Sequence, residues 1–210
     1  RLTLGDRYFR LPIYYLNRYQ SDFRLMEQKH STPVPEKKSF CSFVYSNDRA
    51  SEVREMFFEK LSSYKKISSG GRYRNNIGGP VADKLAFEQE HKFSFSFENS
   101  SYPGYCTEKL VQAFAAQTIP IYWGDPTVAE TFNTKAFVNC HDYASWDEVM
   151  EAVINIDNHP ELYAEMLAAP ALKAPDVDSI QATLLRLSDF LFRIVEQGPE
   201  KAVRYNRVYW

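Results

Sequence analysis

The sequence predicts an α/β fold, in which a Rossmann-like parallel sheet carries helices on both faces. Residues 92–97 alternate aromatic and small polar side chains, which is the period of a β-strand. Residues 107–117 repeat apolar side chains at helical spacing, and residues 118–123 form a short apolar run that ends at Gly124. A strand, a helix and a strand at this spacing predict a crossover between two parallel strands.

Elements on either side of this unit extend the prediction. Residues 40–45 are expected to form a strand, followed by a helix that Asp48 or Ser51 caps. The further predicted elements are a strand at residues 135–140, a helix from a capping box at residues 145–148, a helix from residue 159 to before Pro170, and an amphipathic helix at residues 178–196. Residues 68–79 are rich in glycine and contain Arg72 and Arg74, so they form either a plain surface loop or the rim of a cleft.

Composition narrows the class of protein. The chain has 210 residues, 44% of them hydrophobic, and a formal net charge of −2. This length accommodates one domain and a fragment of another, and the charge argues against nucleic-acid binding. Cys41, Cys106 and Cys140 show no CxxC spacing, which favours free thiols in a reducing compartment. No apolar run reaches the length of a membrane span, and no Asp-x-Asp motif is assigned to the diphosphate, so neither a metal site nor a cofactor is predicted.

The central stretch also resembles a known family. FSFENS at residues 95–100, TEK at residues 107–109 and IPIYWG at residues 119–124 are similar to the motif of the α1,3-fucosyltransferases, the bacterial members in particular. The resemblance covers roughly residues 6–170 and implies the C-terminal, donor-binding half of a GT-B glycosyltransferase. Such an enzyme transfers L-fucose with inversion from GDP-fucose to a GlcNAc-containing glycan of the LacNAc type.

The resemblance also divides the chain. Residues 1–39 are expected to be a remnant of an N-terminal half and its linker, residues 40–170 the Rossmann-like nucleotide-sugar-binding domain, and residues 171–210 a C-terminal helix and tail. The side chains of Arg7, Arg10, Tyr14 and Tyr15 then belong either to an interdomain surface or to a solvated, partly disordered arm. The basic and aromatic tail at residues 203–210 is either a frayed terminus or a contact with a membrane surface.

Candidate site residues cluster where the strand at residues 92–97 ends, which is where open α/β sheets bind ligands. Each has an ordinary structural alternative. Lys109 is either an anion ligand or a solvated lysine, and Glu108 is either a ribose ligand or a first-turn acid that stabilises the helix dipole. Asn99 and Tyr105 suit turn chemistry equally well. Arg54 lies near a helix start without an acid one turn away, yet a surface arginine is the simpler interpretation of the sequence alone.

The family resemblance favours the ligand roles. It implies that Arg54 and Lys109 face the diphosphate, that Glu108 accepts the ribose hydroxyls, and that Asn99 and Tyr105 also contact GDP-fucose. Glu98 is either a fucose ligand or a strand-end carboxylate. The general base is expected in the N-terminal half, so no catalytic residue is assigned and this chain alone is expected to show little or no transferase activity.

A noncatalytic nucleotide-sugar-binding module is the alternative function. A bacterial protein of this kind is expected in the cytoplasm or peripherally on a membrane, and the sequence does not determine its oligomeric state.

Overall fold

The computed structural model describes residues 8–173 and 180–198, which fall into two units. Residues 12–173 form the larger unit, and residues 8–11 with 180–198 belong to the smaller one. The strands of the larger unit are β1 (Ser39–Phe43), β2 (Ile67–Ser69), β3 (His91–Phe97), β4 (Ile119–Trp123) and β5 (Val138–Asn139). Its α-helices are α1 (Gln20–Glu27), α2 (Glu52–Ser62), α3 (Lys84–Gln89), α4 (Glu108–Ala115), α5 (Trp146–Asn158) and α6 (Pro160–Ala168).

The five strands form one sheet in the order β2-β1-β3-β4-β5, and each neighbouring pair is parallel. This confirms the predicted α/β class and the parallel pairing of the strands on either side of α4. The chain moves outward from β1 to β2 on one side and returns to β3 on the other. The carboxyl ends of β1 and β3 are therefore the topological switch point, where doubly wound sheets bind their ligands.

Strand β3 explains how both faces of the sheet are covered. Its aromatic residues point to one face, where the ring of Phe97 lies 5.6 Å from Phe57 of α2 and 5.9 Å from Trp146 of α5. Its serines point to the other face, where the Ser94 hydroxyl donates to Glu88 of α3 and the Ser96 hydroxyl donates to the backbone of α4. Both serines are buried. The alternation therefore separates a bulky face from a small one against which α3 and α4 pack closely.

Two predicted helix caps are present. Ser51, not Asp48, caps α2 by accepting a hydrogen bond from the Val53 amide. Ser145 caps α5 through the amide of Glu148, and the Glu148 carboxylate accepts the amide of Ala144. The last predicted strand is shorter than expected, because residues 134–136 form a 3₁₀ turn capped by Asn133. The sequence did not predict β2, α3 or α1.

Tyr14 and Tyr15 of the N-terminal segment do not belong to a solvated, partly disordered arm. Tyr14 and Tyr15 are buried in the larger unit, together with Phe23 and Met26 of α1. The Tyr14 ring contacts Phe132. Helix α1 packs against α4, and the Gln112 side chain donates to the Asp22 carboxylate at 2.8 Å. Residues 12–31 are thus packed within the larger unit, and Arg7 lies outside the described residues.

The smaller unit contains helix α7 (Ile180–Glu196), which confirms the predicted amphipathic helix from residue 180 onward. The tail at residues 203–210 lies outside the described residues. Cys41, Cys106 and Cys140 are thiols that form no disulfide, as predicted, and all three are buried. Among the described residues no helix is both long and apolar enough to cross a membrane.

Candidate functional site

The candidate site lies at the switch point between β1 and β3. The segment after β1 leads to α2, and the segment after β3 leads to α4, so both helices begin at the carboxyl ends of neighbouring strands. The backbone amide of Ser51 donates to the carbonyl of Asn99 at 2.8 Å, which ties the two segments together. Five of the six predicted residues lie between the end of β3 and the first turn of α4, and Arg54 lies in the first turn of α2. The structure brings Arg54 and Asn99 into contact, and it separately joins Glu98 to Lys109 and Lys109 to Glu108 at the start of α4.

Arg54 is buried, with 1% of its surface exposed. Its guanidinium donates to the Asn99 side-chain oxygen at 2.8 Å and to the Phe97 carbonyl at 3.2 Å, and it lies 4.0 Å from the ring centre of Tyr45. Its Nε has no hydrogen-bond partner. Within the described chain no carboxylate forms an ion pair with it, so a buried positive charge is held by neutral groups. The interpretation of Arg54 as a solvated surface residue is wrong.

Glu98 is fully buried, with 0% of its surface exposed. Its Oε1 accepts the backbone amide of Thr107 at 2.7 Å. Its Oε2 accepts the Thr107 hydroxyl at 2.6 Å and the Lys109 ammonium at 2.8 Å. Both oxygens are therefore occupied by the protein, and the carboxylate connects the end of β3 to the start of α4.

Lys109 has 14% of its side chain exposed and is surrounded by acceptors. Its ammonium donates to Glu98 and to the Thr107 hydroxyl at 2.8 Å each, and to Glu108 at 3.3 Å. Burial alone would lower the pKa of Lys109, but the charges of Glu98 and Glu108 outweigh it and hold the pKa above 10.5. Lys109 is therefore a charged lysine fixed in the first turn of α4, and it is not the solvated lysine of the alternative interpretation.

Glu108 is the more open of the two acids, with 21% of its side chain exposed. Burial raises the pKa of Glu108, but Lys109 and nearby hydrogen bonds more than offset this effect and keep the pKa below 4.5. The carboxylate is thus ionised at neutral pH and reachable from the crevice. Two such oxygens can accept the hydroxyl protons of a diol.

The remaining predicted residues have different positions. Asn99 holds Arg54 through its side chain. Tyr105 is half-buried, its carbonyl accepts the Tyr122 hydroxyl at 3.5 Å, and its own hydroxyl makes no hydrogen bond within the described part of the chain. In the glycine-rich loop, Arg74 forms ion pairs with Glu55 and Glu59 of α2, whereas Arg72 is exposed.

Sequence reasoning missed several supporting residues. Thr107 bridges Glu98 and Lys109 through its hydroxyl. The Tyr45 ring lies under Arg54, and its hydroxyl accepts the Phe97 amide at 2.7 Å. Asp125 is buried and accepts the amide of Gly104 at 2.7 Å, which fixes the loop before α4. Gly-Asp after a buried strand was interpreted only as a turn, although a carboxylate at that place is also suited to accepting loop amides.

Comparisons with known proteins agree with this geometry. The sequence model of glycosyltransferase family 10 (fucosyltransferase), C-terminal part, matches residues 34–168. An α-(1,3)-fucosyltransferase of Helicobacter pylori is 34% identical over 83% of this chain and 43% of its own length. The human 4-galactosyl-N-acetylglucosaminide 3-α-L-fucosyltransferase 9 is 31% identical over 62% of this chain and 36% of its own length. The chain thus spans less than half the length of these relatives.

Solved structures show the same likeness. A crystal structure of an α1,3-fucosyltransferase superposes with a TM-score of 0.77 and 30% identity, over 91% of this chain and 65% of the other. Another, of an α1,3-fucosyltransferase with GDP-fucose, gives a TM-score of 0.73 and 29% identity over 90% of this chain and 67% of the other. Because the family model matches most of the chain, the chain belongs to glycosyltransferase family 10, the fucosyltransferases, and corresponds to their C-terminal part.

Proposed function

We propose that this chain is the donor-binding part of an α1,3-fucosyltransferase and that the diphosphate of GDP-fucose binds at the switch point. One observation carries the proposal. Two buried or nearly buried cations lie in the first turns of the two helices that follow the neighbouring strands β1 and β3: Arg54 in α2 and Lys109 in α4. A helix N-terminus favours anions, and two cations beside it match the charge of a diphosphate.

The proposed transfer of fucose requires positive charge beside the diphosphate. Breaking the bond between fucose and phosphate develops negative charge on GDP, which is the leaving group. Cations that are already in place stabilise this charge without reorganising when the bond breaks. The buried surroundings of Arg54 and Lys109 strengthen that interaction, because the effective dielectric constant is lower than in water.

Neighbouring groups supply the rest of the donor site. Glu108 has a partly exposed carboxylate at the start of α4, and it accepts hydrogen bonds from the ribose hydroxyls. The Tyr105 hydroxyl and Asn99 complete the contacts on the loop after β3. Arg54 is covered by Asn99 in the structure, so its direct contact with a phosphate requires the Asn99 side chain to turn away.

The chemistry at the acceptor relies on groups elsewhere. We propose an acceptor of the LacNAc type, which the name of the human relative supports, and transfer with inversion. Inversion by single displacement needs a carboxylate that takes the proton of the acceptor hydroxyl. Glu98 and Asp125 are buried and already accept protein hydrogen bonds, so we place the base in the N-terminal half that longer relatives have.

Calorimetric titration with GDP tests the donor site. We expect the chain to bind GDP and Lys109→Ala to weaken binding by about tenfold or more, because a charge-assisted hydrogen bond is worth about 1.5–3 kcal/mol. Lys135→Ala, on an exposed turn, is the matched control and should bind GDP normally. An unchanged affinity in Lys109→Ala would remove Lys109 from the site.

A second experiment separates the enzyme from a noncatalytic nucleotide-sugar-binding module. The chain is mixed with the N-terminal half of a longer relative, and fucose transfer to LacNAc is measured. Transfer by the mixture but not by either half supports the donor half of an enzyme. GDP binding without transfer in any mixture supports the noncatalytic module.

A further inference from the structure

The Glu98 carboxylate has a role that neither of its sequence interpretations describes. It lies at the end of β3 with 0% of its surface exposed, so no sugar can reach it. Its three hydrogen bonds all go to the start of α4, two of them to Thr107 and one to Lys109. Glu98 is therefore neither a fucose ligand nor a solvated carboxylate at the end of a strand.

The three protons of the Lys109 ammonium have three separate acceptors. Two of these are inside the cluster: Glu98 and the Thr107 hydroxyl, each at 2.8 Å. The third is Glu108, which is farther away at 3.3 Å and more exposed. An ammonium has three donors and no more. Only the Lys109 N–H that donates to Glu108 can donate to a ligand instead without breaking a buried contact.

Thr107 completes this arrangement. Its hydroxyl has one proton, which goes to Glu98 at 2.6 Å, and its oxygen then accepts from Lys109 at 2.8 Å. Thr107 is the N-cap residue of α4, yet its side chain caps none of the helix amides. A threonine in this position usually satisfies a helix amide; here the hydroxyl serves the lysine.

We infer that Glu98 is a positioning residue, which together with Thr107 fixes two protons of Lys109 and directs the third toward the donor diphosphate. This rests on the proposed donor-binding function. When the diphosphate arrives, Lys109 exchanges Glu108 for a phosphate oxygen, and the released Glu108 carboxylate turns to the ribose. The nucleotide thus separates the ion pair between Lys109 and Glu108.

Gly124 makes room for this carboxylate. A Cβ atom at Gly124 would clash with Glu98 Cγ and lie 2.7 Å from Glu98 Cβ. Because real Cβ atoms do not approach that closely, the residue after β4 must be glycine if Glu98 keeps this place. The glycine after the apolar strand therefore has a function in the site as well as in the turn.

Charge is the second part of the role. Lys109 interacts electrostatically with Glu98, at the end of β3, and with Glu108 of its own helix. The positive charge of Lys84 on α3 also lowers the pKa of Glu108. Burial lowers the pKa of Lys109, and Glu98 is the largest of the effects that raise it again. Without Glu98 the lysine loses its proton at a lower pH, and binding of an anion then weakens in alkaline solution.

Inorganic pyrophosphate is the probe, because it can bind Lys109 but has no ribose for Glu108. We expect Glu98→Gln to weaken its binding by about tenfold at about pH 7.5, and by more at about pH 10, where wild-type Lys109 stays charged. Thr107→Val should lose about fivefold or more, whereas Thr107→Ser keeps the hydroxyl and should stay within about twofold. Glu88→Gln changes another buried glutamate, on α3, and serves as the control with unchanged binding.

Lysine NMR on the same variants reads the pKa of Lys109 without any ligand, and melting curves confirm that each variant is folded. A lower pKa of Lys109 in Glu98→Gln but not in Glu88→Gln supports positioning. Wild-type affinity in folded Glu98→Gln, or an equal loss in Glu88→Gln, overturns the positioning role while donor binding stands. If the wild type binds neither GDP nor pyrophosphate, the proposed function is wrong and the positioning role fails with it.

Discussion

Replacing Arg54 by methionine distinguishes its contribution to GDP binding from its contribution to the stability of the fold. Arg54 is buried at 1% exposure and forms no ion pair with a carboxylate in the described residues. A buried charge that loses its hydration costs several kcal/mol, and only the contacts it makes can offset this. Methionine fills a similar volume without a charge, so it removes the cost and the contacts together.

The contacts of Arg54 give the magnitude. Its hydrogen bonds to Asn99 at 2.8 Å and to the Phe97 carbonyl at 3.2 Å are each worth about 1.5–3 kcal/mol. The Tyr45 ring at 4.0 Å adds about 2 kcal/mol in a desolvated place. These gains are similar in size to the lost hydration. After the change the Phe97 carbonyl still accepts the Tyr45 hydroxyl, and Asn99 is half-exposed to water.

We therefore expect Arg54→Met to change the free energy of unfolding by no more than about 1 kcal/mol. GDP binding should fall by about tenfold to a hundredfold, because one charge-assisted contact is lost. Urea unfolding and calorimetry measure the two quantities.

Arg74→Met is the matched control for Arg54→Met. Arg74 also contacts α2, but it does so at the surface through Glu55 and Glu59, so its loss should leave GDP affinity unchanged. Unchanged GDP affinity in Arg54→Met, or a stability loss of about 3–5 kcal/mol as for a broken buried ion pair, would refute this reasoning.

Two further predictions concern carboxylates. Glu108→Gln should weaken GDP binding less than Glu108→Ala does. Both variants should bind GDP and its 2′-deoxy analogue with more similar affinities than the wild type, because the acceptor for the ribose hydroxyls is weakened. If calorimetry shows that a variant still distinguishes GDP from the analogue as well as the wild type does, Glu108 does not bind the ribose. At the amino ends of the strands, burial raises the pKa of Asp157, but Lys65 and Lys92 outweigh this and hold it below 3.8. Because the folded pKa is depressed, Asp157 stabilises the fold above about pH 4 and this stability is lost as the pH falls through the folded value. Asp157→Asn should therefore show a shallower loss of stability in acid, measured by urea unfolding, and an unchanged slope would contradict the assignment.

The strongly periodic parts of the fold could be predicted from the sequence. The alternation in β3 and the helical spacing in α4 gave the parallel unit around which the sheet is built, and Ser145 gave the start of α5. Strand β2 has only three residues, too few to show a period, and it is a strand because β1 pairs with it. Helix α1 was missed because it has only eight residues and follows a segment rich in arginine and tyrosine, and because its burial depends on packing against α4.

The site was predictable as a location but not as a set of roles. The position of Glu98 after a buried strand is compatible both with a ligand and with an internal brace. Which of the two it is depends on burial, and burial depends on Thr107 and Lys109 at the start of the next helix and on the missing side chain at Gly124. The same holds for Arg54, whose solvation is decided by the Tyr45 ring and the carbonyl of Phe97. A charged residue can be placed at a ligand site from sequence, because strand ends and helix starts are local features. Whether it touches the ligand or holds another residue that does so is a property of contacts between segments, and only the fold supplies those.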